Sequence, residues 1–130
     1  MVIKFCIPLV ARTKKNSQNI YKNKKTGRYF ISPSSAYKQF EKDCRFFLPG
    51  IPTINYPINL KCVFYMDTRR RVDLVNLQEA ICDVLVKYKI LKDDDRDVVA
   101  SMDGSLVLYD KSNPRIEIEI SKLENYQSWK

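Results

Sequence analysis

An α+β fold, a mixed sheet of about four to five strands with two helices packed on it, follows from three observations. Two segments, Ser32–Leu48 and the stretch after Asp73, repeat apolar residues at helical spacing. Segments near Val2, Ile58, Val98 and Arg115 alternate apolar and polar residues as strands do. The elements follow one another as strand, basic arm, helix, strand, helix, strand, strand, within 130 residues. That length supports one domain and one core, which we expect over residues 1–122, with 123–130 as a loosely held tail carrying the single Trp.

Taken in order, Val2–Val10 (VIKFCIPLV) is rich in β-branched and aromatic residues, and Pro8 weakens the strand or marks its end. The next stretch is basic: Arg12, Lys14, Lys15, Lys22, Lys24, Lys25 and Arg28 are interleaved with Tyr21, Tyr29 and Phe30. Lys25–Arg28 (KTGR) predicts a turn between two short arms, IYKN and RYFIS. Such an arm suits nucleic acid, because the cations neutralise phosphates and the rings stack on exposed bases. An ordinary exposed hairpin with its aromatics on the core is the alternative.

Ser32 and Pro33 open the first predicted helix, whose core face holds Ala36, Tyr37, Phe40, Cys44, Phe47 and Leu48. Pro49-Gly50 stops it, and Ile58–Met66 is expected to be a central strand. Val98–Tyr109 predicts a strand broken at Asp103-Gly104, by a bulge in preference to a hairpin turn. Arg115–Ser121 (RIEIEIS) alternates cleanly, with Arg115, Glu117 and Glu119 on one face.

Composition excludes several chemistries. The chain has no His, which removes His-based triads, general bases and metal ligands. Cys6, Cys44, Cys62 and Cys82 are widely spaced with no C-x-x-C, so reduced thiols in a cytoplasmic protein are expected and zinc is not. No apolar run approaches a membrane span and no signal-peptide pattern opens the chain. Residues 1–50 hold 11 Lys and Arg against 2 acids, whereas residues 51–130 hold 12 against 13. A basic first third beside an acidic cluster suits a polyanion held near a cation site, although a solvated basic face is the plain alternative.

The chemistry concentrates in Arg69–Asp97, RRRVDLVNLQEAICDVLVKYKILKDDDRD. On a helical wheel Leu74, Leu77, Ile81, Val84, Leu85 and Tyr88 share an arc of about 100° and form a core face. Asn76, Glu79 and Asp83 form a polar ladder on the opposite flank, one turn after Asp73. Val75, Cys82 and Val86 make a smaller apolar strip beside that ladder, which suggests a homodimer surface. Asp73 or Asn76 also fits a helix cap, and Asp93, Asp94, Asp95 and Asp97 a solvated loop. Gathered together, these carboxylates repel unless a divalent cation intervenes. Beside Arg69, Arg70 and Arg71 they match the needs of Mg²⁺-assisted phosphodiester hydrolysis.

The pattern R-R-R-V-D-L-V-N-L-Q-E-A-I-C-D-V-L (69–85) followed by I-L-K-D-D-D-R-D-V (90–98) resembles the RusA family of Holliday-junction resolvases found in bacteria and many prophages. K-K-N-S (14–17), G-R-Y-F-I-S-P-S (27–34) and R-I-E-I-E-I (115–120) extend the resemblance over nearly the whole chain. The resemblance implies a small homodimer that cuts four-way DNA junctions with Mg²⁺, Mn²⁺ being an alternative ion. By position Asp73 matches the first catalytic aspartate, and Asp95, with Asp94 beside it, the loop aspartate. The family pattern D-x-D-N with a lysine three residues later is here Asp73-Leu74-Val75-Asn76 and Glu79. Either the site is degenerate and the chain is a DNA-binding module, or Glu79 supplies the missing carboxylate from one turn further along.

The expected catalytic set is therefore Asp73, Glu79, Asp94 and Asp95, with Asp73, Glu79, Asp83 and Asp95 as cation ligands. DNA is expected at Arg12, Lys14, Lys15, Asn16, Lys24, Lys25, Arg28, Arg69, Arg70, Arg71 and Asn76.

Overall fold

A computed structural model of the chain describes residues 1–14, 18–22, 24–33, 35–124 and 126, of which 18–22 and 29–33 as backbone alone. Its elements are β1 (Val2–Ile7), β2 (Gln18–Lys22), β3 (Tyr29–Pro33), α1 (Ser35–Cys44), β4 (Ile58–Met66), α2 (Leu74–Lys87), β5 (Val99–Ser101), β6 (Leu106–Tyr109) and β7 (Arg115–Lys122). A single 3-10 turn, Arg45–Phe47, follows α1. The mixed α+β architecture is the one expected: five strands form the main sheet in the order β1-β7-β4-β5, with β6 also on β4.

Strand β4 is central because it is paired along both edges. Strand β7 runs antiparallel on one side, from Ile58↔Lys122 to Tyr65↔Arg115. On the other side β5 and β6 run parallel to it, Asn59 against Ser101 and Val63 against Leu106. Over that span the edge carries one residue more than β4, so the break at Asp103-Gly104 is an insertion in a continuing edge and not a hairpin. Gly104 takes φ +86°, and a Cβ there would press on the Lys61 side chain at 3.2 Å.

Alternation settles which face is buried. Leu60, Cys62 and Phe64 of β4 meet Ile116, Ile118 and Ile120 of β7 and Ile7 of β1 in one apolar cluster. Tyr37, Phe40 and Cys44 of α1 join it, as do Leu77, Ile81, Val84 and Leu85 of α2. The opposite face is polar, with Lys61 paired to Glu119 and Arg115 lying over the Tyr65 ring. Among the described residues no helix is long and apolar enough to cross a membrane.

Three expectations are corrected. The first helix begins at Ser35 and not at Ser32, because Ser32 and Pro33 are taken by β3, which pairs with β2 as the anticipated hairpin. Ala36 and Phe47 are exposed: Ala36 lies outside the α1 face that buries Tyr37, Phe40 and Cys44, and the tighter 3-10 turn after Cys44 rotates Phe47 outward. Cys82 is buried in the core, so it leaves the surface strip, where Val75 is exposed and Val86 half-buried. Of the tail, residues 125 and 127–130 lie outside the described residues, and Leu123 donates its amide to the Pro57 carbonyl.

The end of α2 fixes the acidic loop. Lys89 adopts φ +61°, its amide donates to Val86 O, and the Ile90 amide donates to Leu85 O, which closes the helix as a Schellman turn. The reversal buries Ile90 and Leu91, and Ile54 grips them through bonds with Ile90 O and the Lys92 amide. Beyond the loop, buried Val98 accepts the Ile58 amide at the start of β4. Residues 93–97 are therefore held at both ends.

Candidate active site on the second helix

Helix α2 opens at Asp73, which has extended backbone at the N-cap but makes no side-chain cap bond. Its carboxylate instead accepts from Asn76 Nδ2 at 3.4 Å. The apolar period buries one side of α2 and turns Asn76, Glu79 and Asp83 outward, as the wheel predicts.

Three depressions meet along this helix. The first, small and closely walled, is lined by Thr13, Lys14, Asn76, Glu79, Ala80 and Asp83. The second, an open groove of about 410 Å³, has Lys14, Glu41, Asp83, Val86, Lys87 and Asp94. The third, about 370 Å³, lies between the helix, the acidic loop and the β5–β6 connection. Its walls are Leu74, Val75, Gln78, Glu79, Cys82, Asp94, Met102 and Ser105. Glu79, Asp83 and Asp94 thus share walls in pairs, each pair in a different depression.

Basic side chains enter from the other elements. Lys14 reaches Asp83 at 3.1 Å and stands 5.5 Å over the Tyr37 ring, so the segment after β1 is bridged to α1 and α2. Lys87 is bonded to Glu41, which raises the Lys87 pKa, chiefly through that hydrogen bond. Arg69 lies 4.7 Å from the Tyr109 ring centre, and Arg70 and Arg71 are exposed in the connection leading into α2.

The far wall of the third groove is pinned by side chains of the edge. Asn59 accepts from Ser101 Oγ at 2.6 Å and from the Asp103 amide at 2.7 Å, and donates to Asp103 O. Ser105 Oγ accepts the Cys62 amide and donates to Leu60 O. That wall is thereby fixed to β4, the central strand.

Negative potential is concentrated here. The Asp94 pKa is raised by partial burial first, then by the hydrogen bond with Asp93 and by the charges of Asp93 and Asp83. The Cys82 thiol is pushed up to about 12 by burial and then by Asp94, Asp83 and Glu79. Cys82 is accordingly an un-ionised wall and not a nucleophile.

The expected site residues fall into two sets. Asn76, Glu79, Asp83, Asp94 and Lys14 are brought together in the depressions. Asp73 and Asp95 line none of the three. The Asp95 carboxylate accepts the Asp97 amide and its carbonyl accepts Val98 and Val99, so Asp95 shapes its own loop. Arg12, Lys24, Lys25 and Arg28 are exposed, and Lys15 and Asn16 lie outside the described residues, as do the Tyr21, Tyr29 and Phe30 side chains.

Sequence reading missed Gln78, Thr13 and the Met102–Ser105 wall. Gln78 is only 5% exposed, and its Oε1 has no hydrogen-bond donor in the protein. An orphaned buried acceptor costs about 1–3 kcal/mol. Its signal was present: a glutamine sits at the margin of the apolar arc, one turn after Leu74 and one before Cys82.

Among the described residues, no three Cys, Asp or Glu side chains are gathered to hold a metal ion by themselves. The donor chemistry nevertheless fits a hard cation. Mg²⁺ keeps several waters and takes one or two carboxylates plus substrate phosphates, and the third groove offers Glu79, Asp94 and an unpartnered amide oxygen.

No curated protein matches the chain. The sequence model of the family described as Endodeoxyribonuclease RusA matches residues 8–121, nearly the whole chain and every element after β1. This chain belongs to the RusA endodeoxyribonuclease family.

Proposed function

We propose that the protein is a Mg²⁺-dependent endonuclease that resolves four-way DNA junctions as a homodimer. The observation that carries this reading is the pairwise sharing of Glu79, Asp83 and Asp94 among three depressions of one helix, two of them also lined by Lys14. Glu79 and Asp94 hold the cation, and Asp83 keeps Lys14 at the rim. Asp73 orients Asn76 at the helix start, and Asp95 braces the loop that presents Asp94. A bound cation supplies Lewis acidity at the scissile phosphate and acidifies an attacking water.

Lys14, Arg12 and Arg69–Arg71 hold flanking phosphates, with Lys24, Lys25 and Arg28 of the hairpin, and Lys15 and Asn16 before it, extending the track. Two symmetric cuts need two such sites, and a two-fold dimer supplies them.

The test is cleavage of a labelled four-way junction against linear duplex, in Mg²⁺ and in EDTA. Paired cuts with metal, absent in EDTA and in Asp73→Asn, Asp94→Asn and Asp95→Asn, are expected. Tight junction binding without cutting in either condition would replace this reading by a DNA-binding module. Val75, apolar where the family pattern has a carboxylate, favours that second reading.

A further inference from the structure

The orphaned acceptor of Gln78 is the one buried polar side chain of the described residues whose chemistry is not absorbed by the fold. Its neighbours in the groove decide what it suits. Glu79 and Asp94 stand on the same walls and accept but do not donate when ionised. Ser105 has its hydroxyl committed to Cys62 and Leu60, and Cys82 is a weak donor. The Glu79 and Asp94 carboxylates and the Gln78 amide therefore line one space with Leu74, Val75 and Met102 as its apolar border, the Gln78 oxygen lying buried in its wall. Two carboxylates beside a buried amide oxygen that lacks a donor suit a cation with its waters, and the last torsion of a glutamine is soft enough to turn its oxygen toward one.

We propose that Gln78 gives its amide oxygen to the divalent cation of this groove, alongside Glu79 and Asp94, as a neutral donor where the first turn of the helix lacks a second carboxylate. This rests on the metal-dependent reading above. Gln78 is a direct ligand in this proposal: it holds the ion against the helix and leaves the phosphate side of its coordination shell to substrate.

The experiment is Mn²⁺ binding to the full chain without DNA, followed by electron paramagnetic resonance, with metal-free thermal unfolding in parallel. Gln78→Met keeps the volume and removes the oxygen; Gln78→Glu restores an oxygen at the same place. Gln78→Met is expected to weaken Mn²⁺ binding by at least about tenfold, since a lost ligand costs no less than a lost orienting partner. Its metal-free Tm should stay at or above wild type, because the orphaned acceptor is gone. Gln78→Glu should bind Mn²⁺ at least as tightly as wild type.

Unchanged Mn²⁺ affinity in Gln78→Met overturns the proposal. So does a loss of affinity that Gln78→Glu fails to restore, since that pattern belongs to packing. If Glu79→Gln and Asp94→Asn lose Mn²⁺ while Gln78→Met does not, the groove remains the cation site and only the role of Gln78 falls. A wild-type chain that takes up no Mn²⁺ at millimolar concentration overturns both this inference and the reading on which it rests.

Discussion

Val75→Asp puts a carboxylate back where the family pattern has one, and its energetic consequences follow from the position of the side chain. Val75 is 74% exposed, so only about a quarter of the benefit of burying a valine is at stake, roughly 0.4–0.8 kcal/mol of the ~1.5–3 for full burial. The position is the second residue of α2, where an acid gains about 0.3–1 kcal/mol from the helix dipole. Glu79 lies one turn on, and a like-charged pair at that spacing costs roughly 0.2–0.5 kcal/mol. These contributions nearly cancel, so the metal-free Tm should move by no more than a few degrees. With Mg²⁺ the repulsion becomes ligation, so the Tm should rise more in Val75→Asp than in wild type, and junction cleavage should increase. Thermal unfolding with and without Mg²⁺, beside the cleavage assay, measures both. A metal-free loss above about 2 kcal/mol would exceed anything an exposed valine explains. It would show that Val75 is packed against a second subunit and that its place in the cation groove is secondary.

Lys14→Met should cost less than about 1 kcal/mol of stability, because the ion pair with Asp83 is solvent-facing on both sides. It should nevertheless weaken junction binding and flatten the salt dependence by about one counterion, measured by fluorescence anisotropy over a salt series. Asp110 has its pKa held low, first by the hydrogen bond from Arg115. Its stabilisation is therefore full above the ordinary carboxylate range and fades as pH falls through the depressed folded value. Asp110→Asn should reduce the acid-side fall of Tm between about pH 4 and lower values. Maleimide should label Cys6, which is exposed, in the native protein, while buried Cys44, Cys62 and Cys82 react only after denaturation. Native labelling at Cys82, measured by mass spectrometry, would contradict the closed wall described for the third groove.

Strand β4 and helix α2 were legible because each carries its own period over many residues. Alternation in INLKCVFYM and the 3.6 spacing of Leu74 to Leu85 survive any plausible neighbour. The start of α1 was not legible, since Ser32 and Pro33 serve a helix N-terminus or the end of β3 equally well. Only pairing with β2 chose between them. The burial of Cys82 escaped for a related reason: a thiol is accepted on an apolar surface or in a core, and its neighbours arrive from the β5–β6 connection.

The acids themselves were all visible, and so was their chemical class in a chain without histidine. Their grouping was not. The Schellman turn at Lys89 and the anchoring of Leu91 and Val98 aim Asp94 at the groove and leave Asp95 bracing its own loop. Adjacent aspartates in a sequence are interchangeable until a backbone reversal assigns each a direction.

By itself the sequence determined most of the elements, the family and the acidic character of the second helix and the loop after it, because periodicity, motif and composition are local properties. Which oxygens meet was decided by the tertiary structure alone. Lys14, Gln78 and Asp94 come from three separate segments, and only the packing of α2 on β4 brings them to neighbouring grooves of one helix.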